Sequence, residues 1–251
     1  MMTISLRRFF RLGLIALLAG LMVGCASTNG PEQVNDPLEG FNRGVYTFNE
    51  QLDIYALGPV SRGYVAVTTD GMRNGVTNFY RNLASPIYLV NEALQGKWSQ
   101  AGRTTGRFVV NSTIGLLGFF DPATSMGLTT DREDFGQTLG VWGVDQGPYL
   151  MLPLLGPSST RDVARYPVDW YLDVLVWLAL DSATLGAFTA VYVVNTRARL
   201  EQTIQMQRDA PDPYAFMRSG YLQRRQSLVY DGNVPLEEDP YGDFFDNLES
   251  N

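Results

Sequence analysis

Residues 36–53 read DPLEGFNRGVYTFNEQLD, and this stretch combines the signals that start a helix with a helical repeat of apolar residues. Asp36 can cap a helix, Pro37 fits the first helical position, and Glu39 stands three residues after the cap, as in a capping box. Apolar side chains then recur at alternating spacings of three and four, namely Leu38, Phe41, Val45, Phe48, Leu52 and Tyr55. The spacing predicts an amphipathic helix with one buried apolar stripe.

The same start signal, a capping residue followed by proline, recurs along the chain before other segments of helical periodicity. The further pairs are Ser85-Pro86, Asp121-Pro122 and Asp212-Pro213. The strict alternation of apolar and polar residues that is typical of half-buried strands is hard to find. We therefore predict an all-α fold, a single domain of many amphipathic helices.

The first residues have the composition of a secretory signal, because three arginines precede an apolar run from Leu12 to Val23. This run is about half the ~20 residues that a membrane-spanning helix requires. Cys25, the sole cysteine, stands at its end and cannot form an internal disulfide. The stretch resembles a bacterial lipoprotein signal, so we expect a signal peptide over residues 1–24, lipidation of Cys25 and a lipidated tether over 25–35. The alternative is a buried free cysteine after an ordinary signal.

The charge balance and the missing histidine exclude several classes of function. The chain carries 19 basic and 26 acidic side chains, which disfavours nucleic acid as a partner. With no histidine it lacks the usual general base, metal ligand and triad member. Lys97, the only lysine, is not part of an S-x-x-K motif and is interpreted as a solvated charge at a helix end. We expect no enzymatic activity, no cofactor and no metal.

Two acidic pairs could serve acid/base chemistry or a metal, but helix dipoles explain them better. Asp169 and Asp173 lie one helical turn apart, and Glu133 is followed by Asp134. Acidic residues in the first turn of a helix are ordinary complements to its dipole, and no third or fourth ligand gathers near either pair in the sequence.

The most apolar stretch of the chain after the signal covers residues 170–194. It is long enough to span a bilayer, but Asp173 and Asp181 would each cost roughly 2.5–3.5 kcal/mol at a helix centre. We therefore predict two helices that touch lipid or pack internally, and not one span. The last residues, 229–251, form an acidic tail that we expect to be disordered.

A glycine-rich and proline-rich segment covers residues 133–162, EDFGQTLGVWGVDQGPYLMLPLLGPSSTRD. Its first four glycines are spaced four, three and four residues apart, so in a helix they would line one face for close packing. The alternative is a kinked loop or hairpin, which Gly147-Pro148 and Gly156-Pro157 favour. The apolar residues between them predict a lipid or partner contact, while a buried irregular core segment is the other interpretation.

The long motifs of this chain resemble the VacJ/MlaA family of outer-membrane lipoproteins. The matching blocks are residues 36–53, NFYRNLASPIYLVNEALQGK (78–97), RFVVNSTIGLLGFFDPAT (107–124), residues 133–162 and DPYAFMRSGYLQRR (212–225). The resemblance implies that residues 36–228 form a ring-like, membrane-embedded helical domain in the inner leaflet of the outer membrane of a Gram-negative bacterium, with a central channel. Ala26, where an aspartate would signal retention in the inner membrane, agrees with this location.

The resemblance also implies a function and partners. Phospholipids misplaced in the outer leaflet would enter the channel and pass to a periplasmic carrier that feeds an inner-membrane ABC transporter, with trimeric porins as lateral partners. Phe41, Asn42 and Arg43 are expected in the channel architecture. Gly143, Gly147, Pro148 and Tyr149 are expected in a hinged hairpin at the channel. The alternatives are a passive envelope tether and a lipid hydrolase, which the missing histidine disfavours.

Overall fold

The computed structural model describes residues 36–178 and 181–235. The predicted signal peptide, the tether with Cys25 and residues 236–251 of the predicted acidic tail lie outside the described residues. Residues 229–235 of that predicted tail are described and are the last described residues of the chain.

Helices dominate the described residues. In chain order they are α1 (Glu39–Leu52), a π-helical turn (Asp53–Leu57), α2 (Gly58–Val67), α3 (Asp70–Leu83), α4 (Ser85–Leu94), α5 (Trp98–Thr113), α6 (Pro122–Ser125), α7 (Phe135–Val141), a 3-10 turn (Asp162–Ala164), α8 (Arg165–Leu172), α9 (Val174–Leu178), α10 (Ser182–Arg199), α11 (Glu201–Arg208) and α12 (Pro213–Val229). Two short strands, β1 (Tyr149–Leu152) and β2 (Gly156–Ser159), form one antiparallel hairpin between α7 and the 3-10 turn. The predicted all-α class is confirmed, with this hairpin as an addition.

The helix start signals act as caps in two of the predicted places. Asp121 accepts a hydrogen bond from the backbone N–H of Thr124, and Asp212 accepts one from Ala215. Asp36 does not cap α1, which begins at Glu39. Its carboxylate instead accepts hydrogen bonds from three side chains in the tertiary fold, those of Asn42, Tyr214 and Arg218. The predicted capping box at Asp36 is therefore wrong, because this carboxylate is bound by groups on α1 and α12. Ser85 likewise makes no capping bond, and its hydroxyl donates to the Arg81 carbonyl.

The predicted burial of the apolar stripe is wrong for three of its six residues, while Leu38, Val45 and Leu52 are half-buried. Phe41, Phe48 and Tyr55 are 48, 53 and 78% exposed, and the buried residues of α1 are Asn42 and Tyr46. Throughout the described residues, buried polar and charged side chains outnumber buried apolar ones. Buried polar groups cost little when they are hydrogen-bonded, and apolar groups this exposed favour a non-aqueous surrounding. The helices thus turn polar faces inward and apolar faces outward.

The apolar core is small and rich in tyrosine. Among the described residues, its packed cluster consists of Tyr46, Tyr149, Met151 and Tyr214, and this cluster joins α1, the hairpin and α12. The Tyr46 and Tyr149 rings each meet the ring of Tyr214 edge to face, at centroid distances of 5.9 and 6.0 Å. This cluster fixes the hairpin against two helices.

The apolar stretch 170–194 is broken, as predicted, but it contains parts of three helices, α8, α9 and α10, where two were predicted. Within the described residues no single helix combines the length and hydropathy needed to cross a bilayer. The segments Asp162–Leu178 and Ser182–Arg199 meet those criteria only as a pair, and their directions differ by 112°. The aromatic side chains of Trp170, Tyr171 and Trp177 are exposed on the first of these segments.

Lys97 is not the solvated charge that the sequence predicts. Its ammonium group binds buried Glu133 at 2.9 Å and Asp231 at 2.5 Å, and its side chain is largely buried. This ion-pair cluster ties the start of α5 to the residues that follow α12. Because both partners come from distant segments, the sequence around Lys97 gives no sign of them.

Candidate functional site

Two asparagines of α1 hold the free edge of strand β1. Asn42 donates from Nδ2 to the Tyr149 carbonyl at 3.0 Å, and its Oδ1 accepts from the Met151 N–H at 2.9 Å. Asn49, two helical turns later, makes the same pair of bonds. Its Nδ2 donates to the Leu152 carbonyl at 3.0 Å, and its Oδ1 accepts from the Leu154 N–H at 2.9 Å. Side-chain amides therefore take the place of a third strand, and α1 sets the position of the hairpin.

The three residues predicted for the channel architecture have different surroundings. Asn42 is buried beside Tyr149, whereas Phe41 is exposed on the outer face of α1. Arg43 binds Asp212 and Glu39, each at 2.6 Å, and its guanidinium lies 4.4 Å from the centre of the Tyr214 ring. Arg43 thus connects α1 to the start of α12.

Both interpretations of the glycine-rich segment describe part of it. Gly136 and Gly140 lie in α7 and allow close packing. A Cβ on Gly136 would lie 2.6 Å from Asp162 Oδ1, and a Cβ on Gly140 would lie 2.9 Å from Arg161 Nη1. Gly143 and Gly147 have φ angles of +87° and +65°, which favour glycine, and they lead into the hairpin. A Cβ on Gly147 would also lie 2.1 Å from Thr160 Oγ1.

The apolar residues of this segment divide between core and surface. Tyr149 and Met151 are buried, as the core interpretation requires. Leu154 and Leu155, at the hairpin turn, are 71 and 59% exposed, as the contact interpretation requires. The alternation along β1 therefore buries one face of the hairpin, and its tip remains an apolar surface.

A buried ion cluster fastens the base of the hairpin to α12. The Arg225 guanidinium binds Asp134 through Nη1 at 2.7 Å and Asp162 through Nε at 2.7 Å. Asp134 also caps α7 through the Gln137 N–H at 2.9 Å. Burial opposes ionisation of Asp134, but the hydrogen bonds and charge of Arg225, with Arg165, outweigh it and lower the pKa to about 2. The pair Glu133 and Asp134 thus serves structure, through arginine and lysine partners.

A cavity of about 660 Å³ opens between helices α3, α4, α8 and α10. Its charged lining consists of Arg81, Arg132, Arg165, Arg199, Glu133, Asp134, Asp169 and Asp173. Its apolar lining includes Leu83, Ile87, Trp170, Leu175, Tyr192 and Leu200. The size is that of a ligand site, and the mixture of charged and apolar groups suits an amphipathic molecule.

Asp169 is the most perturbed carboxylate of this cavity. Burial, reinforced by the charge of Asp134, raises its pKa to about 7, although the Phe135 N–H donates to it at 3.3 Å. Asp173, one turn later, also has a raised pKa because of burial. The cavity therefore places groups that are reluctant to ionise beside several arginines.

The sequence-predicted residues lie outside this cavity. Phe41, Asn42, Arg43, Gly143, Gly147, Pro148 and Tyr149 are absent from its lining. Asn42 and the residues from Gly143 to Tyr149 position the hairpin or lead into it, Arg43 joins α1 to α12, and Phe41 is exposed on α1. The residues that do line the cavity come from distant segments, and sequence reasoning missed Arg81 and Arg132 entirely. Asp169 and Asp173 carry a signal, because they are acidic residues one helical turn apart at the start of the apolar stretch, but the sequence alone favours helix-dipole compensation.

Comparison with known proteins assigns the family. The family model described as MlaA lipoprotein matches residues 34–228. The intermembrane phospholipid transport system lipoprotein MlaA of Escherichia coli is 37% identical over 92% of this chain and 93% of its own length. The protein of the same description from Haemophilus influenzae is 33% identical over 88% and 91%, and an uncharacterized protein of Rickettsia bellii is 36% identical over 82% and 81%.

A solved structure supports the same assignment at the level of the fold. It is described as the structural basis for maintenance of bacterial outer membrane lipid asymmetry, and it matches with a TM-score of 0.69 and 34% identity over 78% of this chain and 99% of that one. The family model covers more than half of the chain, and the relatives cover most of it. The chain belongs to the MlaA lipoprotein family.

Proposed function

We propose that this protein is the outer-membrane lipoprotein of an intermembrane phospholipid transport system. It takes phospholipids that are misplaced in the outer leaflet and passes them on, which maintains the lipid asymmetry of the outer membrane. The observation that carries the proposal is the amphipathic cavity inside a fold that turns large apolar side chains outward. Family membership and the names of the relatives support it.

The two kinds of cavity lining serve the two parts of a phospholipid. The headgroup passes the arginines and carboxylates, and the acyl chains follow the aromatic and aliphatic side chains. The exposed aromatic residues Tyr171 and Trp177 face the surrounding membrane, where amphipathic rings prefer the interface between lipid and water, whereas Trp170 lines the cavity. The ring and central channel implied by the family are thus a route for a lipid, and the step breaks no covalent bond.

The anchor and the partners complete the proposed route. Cys25 carries the acyl chains that fix the protein in the periplasmic leaflet of the outer membrane, with trimeric porins beside it. A periplasmic carrier collects the lipid and delivers it to an inner-membrane ABC transporter, which supplies the energy. Gly143, Gly147 and Pro148 form the hinge of this route, in the segment between α7 and the hairpin, while Tyr149 keeps strand β1 packed on α1 and α12.

Outer-leaflet phospholipid in cells tests the proposal. Cells that lack the protein are treated with an external phospholipase and compared after complementation with the wild type and with Cys25→Ala. We expect outer-leaflet phospholipid to rise on loss of the protein, to fall back with the wild type and to remain high with Cys25→Ala. An unchanged level in cells without the protein would reject the proposal.

A cavity-blocking variant separates transport from a passive tether. Thr189 on α10 lines the cavity, whereas Ala187 on the same helix is exposed and does not. We expect Thr189→Trp to leave outer-leaflet phospholipid high and Ala187→Trp to behave as the wild type at equal abundance. Full activity of Thr189→Trp would favour the tether, and release of lysophospholipid or fatty acid by the pure protein would favour a hydrolase.

A further inference from the structure

Two arginines stand where the large cavity meets a smaller polar one. The smaller cavity, about 20 Å³, is lined by Asn78, Ser85, Thr104, Asn111, Asp121 and Thr130, among other residues. Arg81, Tyr88 and Arg132 line both cavities. They therefore mark a junction that is open to the amphipathic space on one side and surrounded by hydrogen-bonding groups on the other.

These arginines lack the ion-pair partners that several other charged residues of the two cavities have within the described residues. Asp134 is bound by Arg225 and Arg165, Glu133 by Lys97, and Asp121 by Arg107. Over residues 36–178 and 181–235, neither Arg81 nor Arg132 has a carboxylate within ion-pair distance. Neither side chain donates a hydrogen bond to the protein there. Only their backbone carbonyls are engaged, that of Arg81 by the Ser85 hydroxyl and that of Arg132 by the Gln137 side chain.

The charged guanidinium of Arg81 lies in unfavourable surroundings, and a bound anion would stabilise it. It is half-buried on α3, and burial, together with the positive charges of Arg132 and Arg107, lowers the pKa of its guanidinium. A desolvated cation beside two others is unfavourable unless something supplies a counter-charge. Its fork of N–H donors matches the oxygens of a phosphate group.

We propose that Arg81 and Arg132 bind the phosphate group of a phospholipid headgroup at the junction of the two cavities. The inference rests on the proposed function, because it assigns the lipid of that route a resting position. The phosphate accepts hydrogen bonds from both guanidinium groups while the acyl chains lie along the apolar lining of the large cavity. Recognition depends on the phosphodiester that phospholipids share, so lipids with different headgroups bind at the same place.

Equilibrium binding to the purified full chain in a non-ionic detergent tests this assignment. The probes are radiolabelled dihexanoylphosphatidylglycerol, dihexanoylglycerol, which lacks the phosphate, and inorganic phosphate. The variants are Arg81→Gln/Arg132→Gln and, as a matched control, Arg224→Gln. Arg224 is exposed on α12, lines none of the described cavities and has no ion pair within the described residues.

We expect the wild type and Arg224→Gln to bind the phospholipid at least about tenfold more tightly than the diacylglycerol. The double variant should bind both with the same weak affinity. Equal binding of the two lipids by the wild type, or a preference that survives in the double variant, would overturn the inference and leave the proposed function standing. Binding of inorganic phosphate as tightly as the phospholipid would assign the site to free phosphate and overturn the lipid assignment. Binding of neither lipid by the wild type would overturn the proposed function itself.

Folding of the variants provides a separate control. Because Arg81 and Arg132 have no ion pair to lose among the described residues, the double variant should unfold at a temperature no lower than that of the wild type. If Arg81→Gln does not fold, the single variant Arg132→Gln, at an exposed position, repeats the binding test. We expect it to reduce the preference for the phospholipid over the diacylglycerol several-fold. An unchanged preference would count against the inference.

Discussion

Arg225→Leu tests whether the buried ion cluster holds the hairpin base to α12. The guanidinium makes four hydrogen bonds of 2.7–3.1 Å to Asp134 and Asp162. Removing one partner of a buried ion pair typically costs about 3–5 kcal/mol. Asp134 would keep Arg165, and Asp162 would keep Arg161 and Tyr221, so the loss should lie near the lower end, about 3 kcal/mol.

The neighbouring Arg224 supplies the control, because it is exposed and Arg224→Leu should change stability by no more than about 0.5 kcal/mol. Urea unfolding in detergent micelles measures both variants, since urea does not screen charges. A loss of 3 kcal/mol corresponds to a fall of roughly 1–3 M in the midpoint. A difference below about 1 kcal/mol between Arg225→Leu and Arg224→Leu would refute the reasoning.

Acid gives a second test of the same cluster. The pKa of Asp134 falls from its usual 3.8 to about 2 in the folded protein. Ionised Asp134 therefore contributes stability that is fully present above pH 3.8, worth about 2 kcal/mol, and lost as the pH falls toward 2. The difference between the wild type and Arg225→Leu should shrink over that interval, and a constant difference would count against the ion pair.

Four further variants, the last of them a control, test the remaining features by thermal or urea unfolding. Asn42→Ala should lower the free energy of unfolding by at least about 2 kcal/mol, because two buried backbone groups of β1 lose their hydrogen-bond partner. A decrease below about 0.5 kcal/mol would contradict this role of Asn42. Asp169→Asn should stabilise the protein by at least about 1 kcal/mol at pH 8 and much less at pH 4, because a folded pKa of about 7 makes stability fall as the pH rises from 3.8 through 7. An equal effect at both pH values would refute that. Gly143→Ala should destabilise the protein by about 1 kcal/mol, because Gly143 has a positive φ. The control Gly102→Ala, inside α5 with open space around it, should stabilise the protein by up to about 1 kcal/mol. If both variants changed stability in the same direction, the role of the positive φ would be refuted.

The helical class is predictable because its signals are local. Proline after a capping residue and apolar spacings of three and four need no knowledge of the rest of the chain. The direction of burial is different, because an amphipathic helix has a polar face with the same period as its apolar face. Periodicity places Phe41 and Phe48 together on one side of α1, but only the surroundings decide that this side faces outward.

The hairpin and the cavity were harder to predict for related reasons. Strand β1 reads YLML, four apolar residues in a row, so its alternating burial leaves no alternation in the sequence. Asp36 was interpreted as a cap because the sequence does not show Tyr214 or Arg218 beside it. The cavity gathers residues from α3, α8 and α10 with the segment before α7, and nothing near Arg81 or Arg132 in the chain indicates that they meet.

The outward apolar faces and the polar interior also determine how the protein responds to temperature. Unfolding raises the heat capacity through newly exposed apolar surface and lowers it through newly exposed polar surface. Here many large apolar side chains are exposed before unfolding, and the groups released from the interior are mostly amides, hydroxyls and charges. The heat-capacity change should therefore lie well below the usual ~12–15 cal/mol/K per residue. The free energy of unfolding of this protein should therefore change little with temperature, so its stability should remain nearly constant over a wide temperature range.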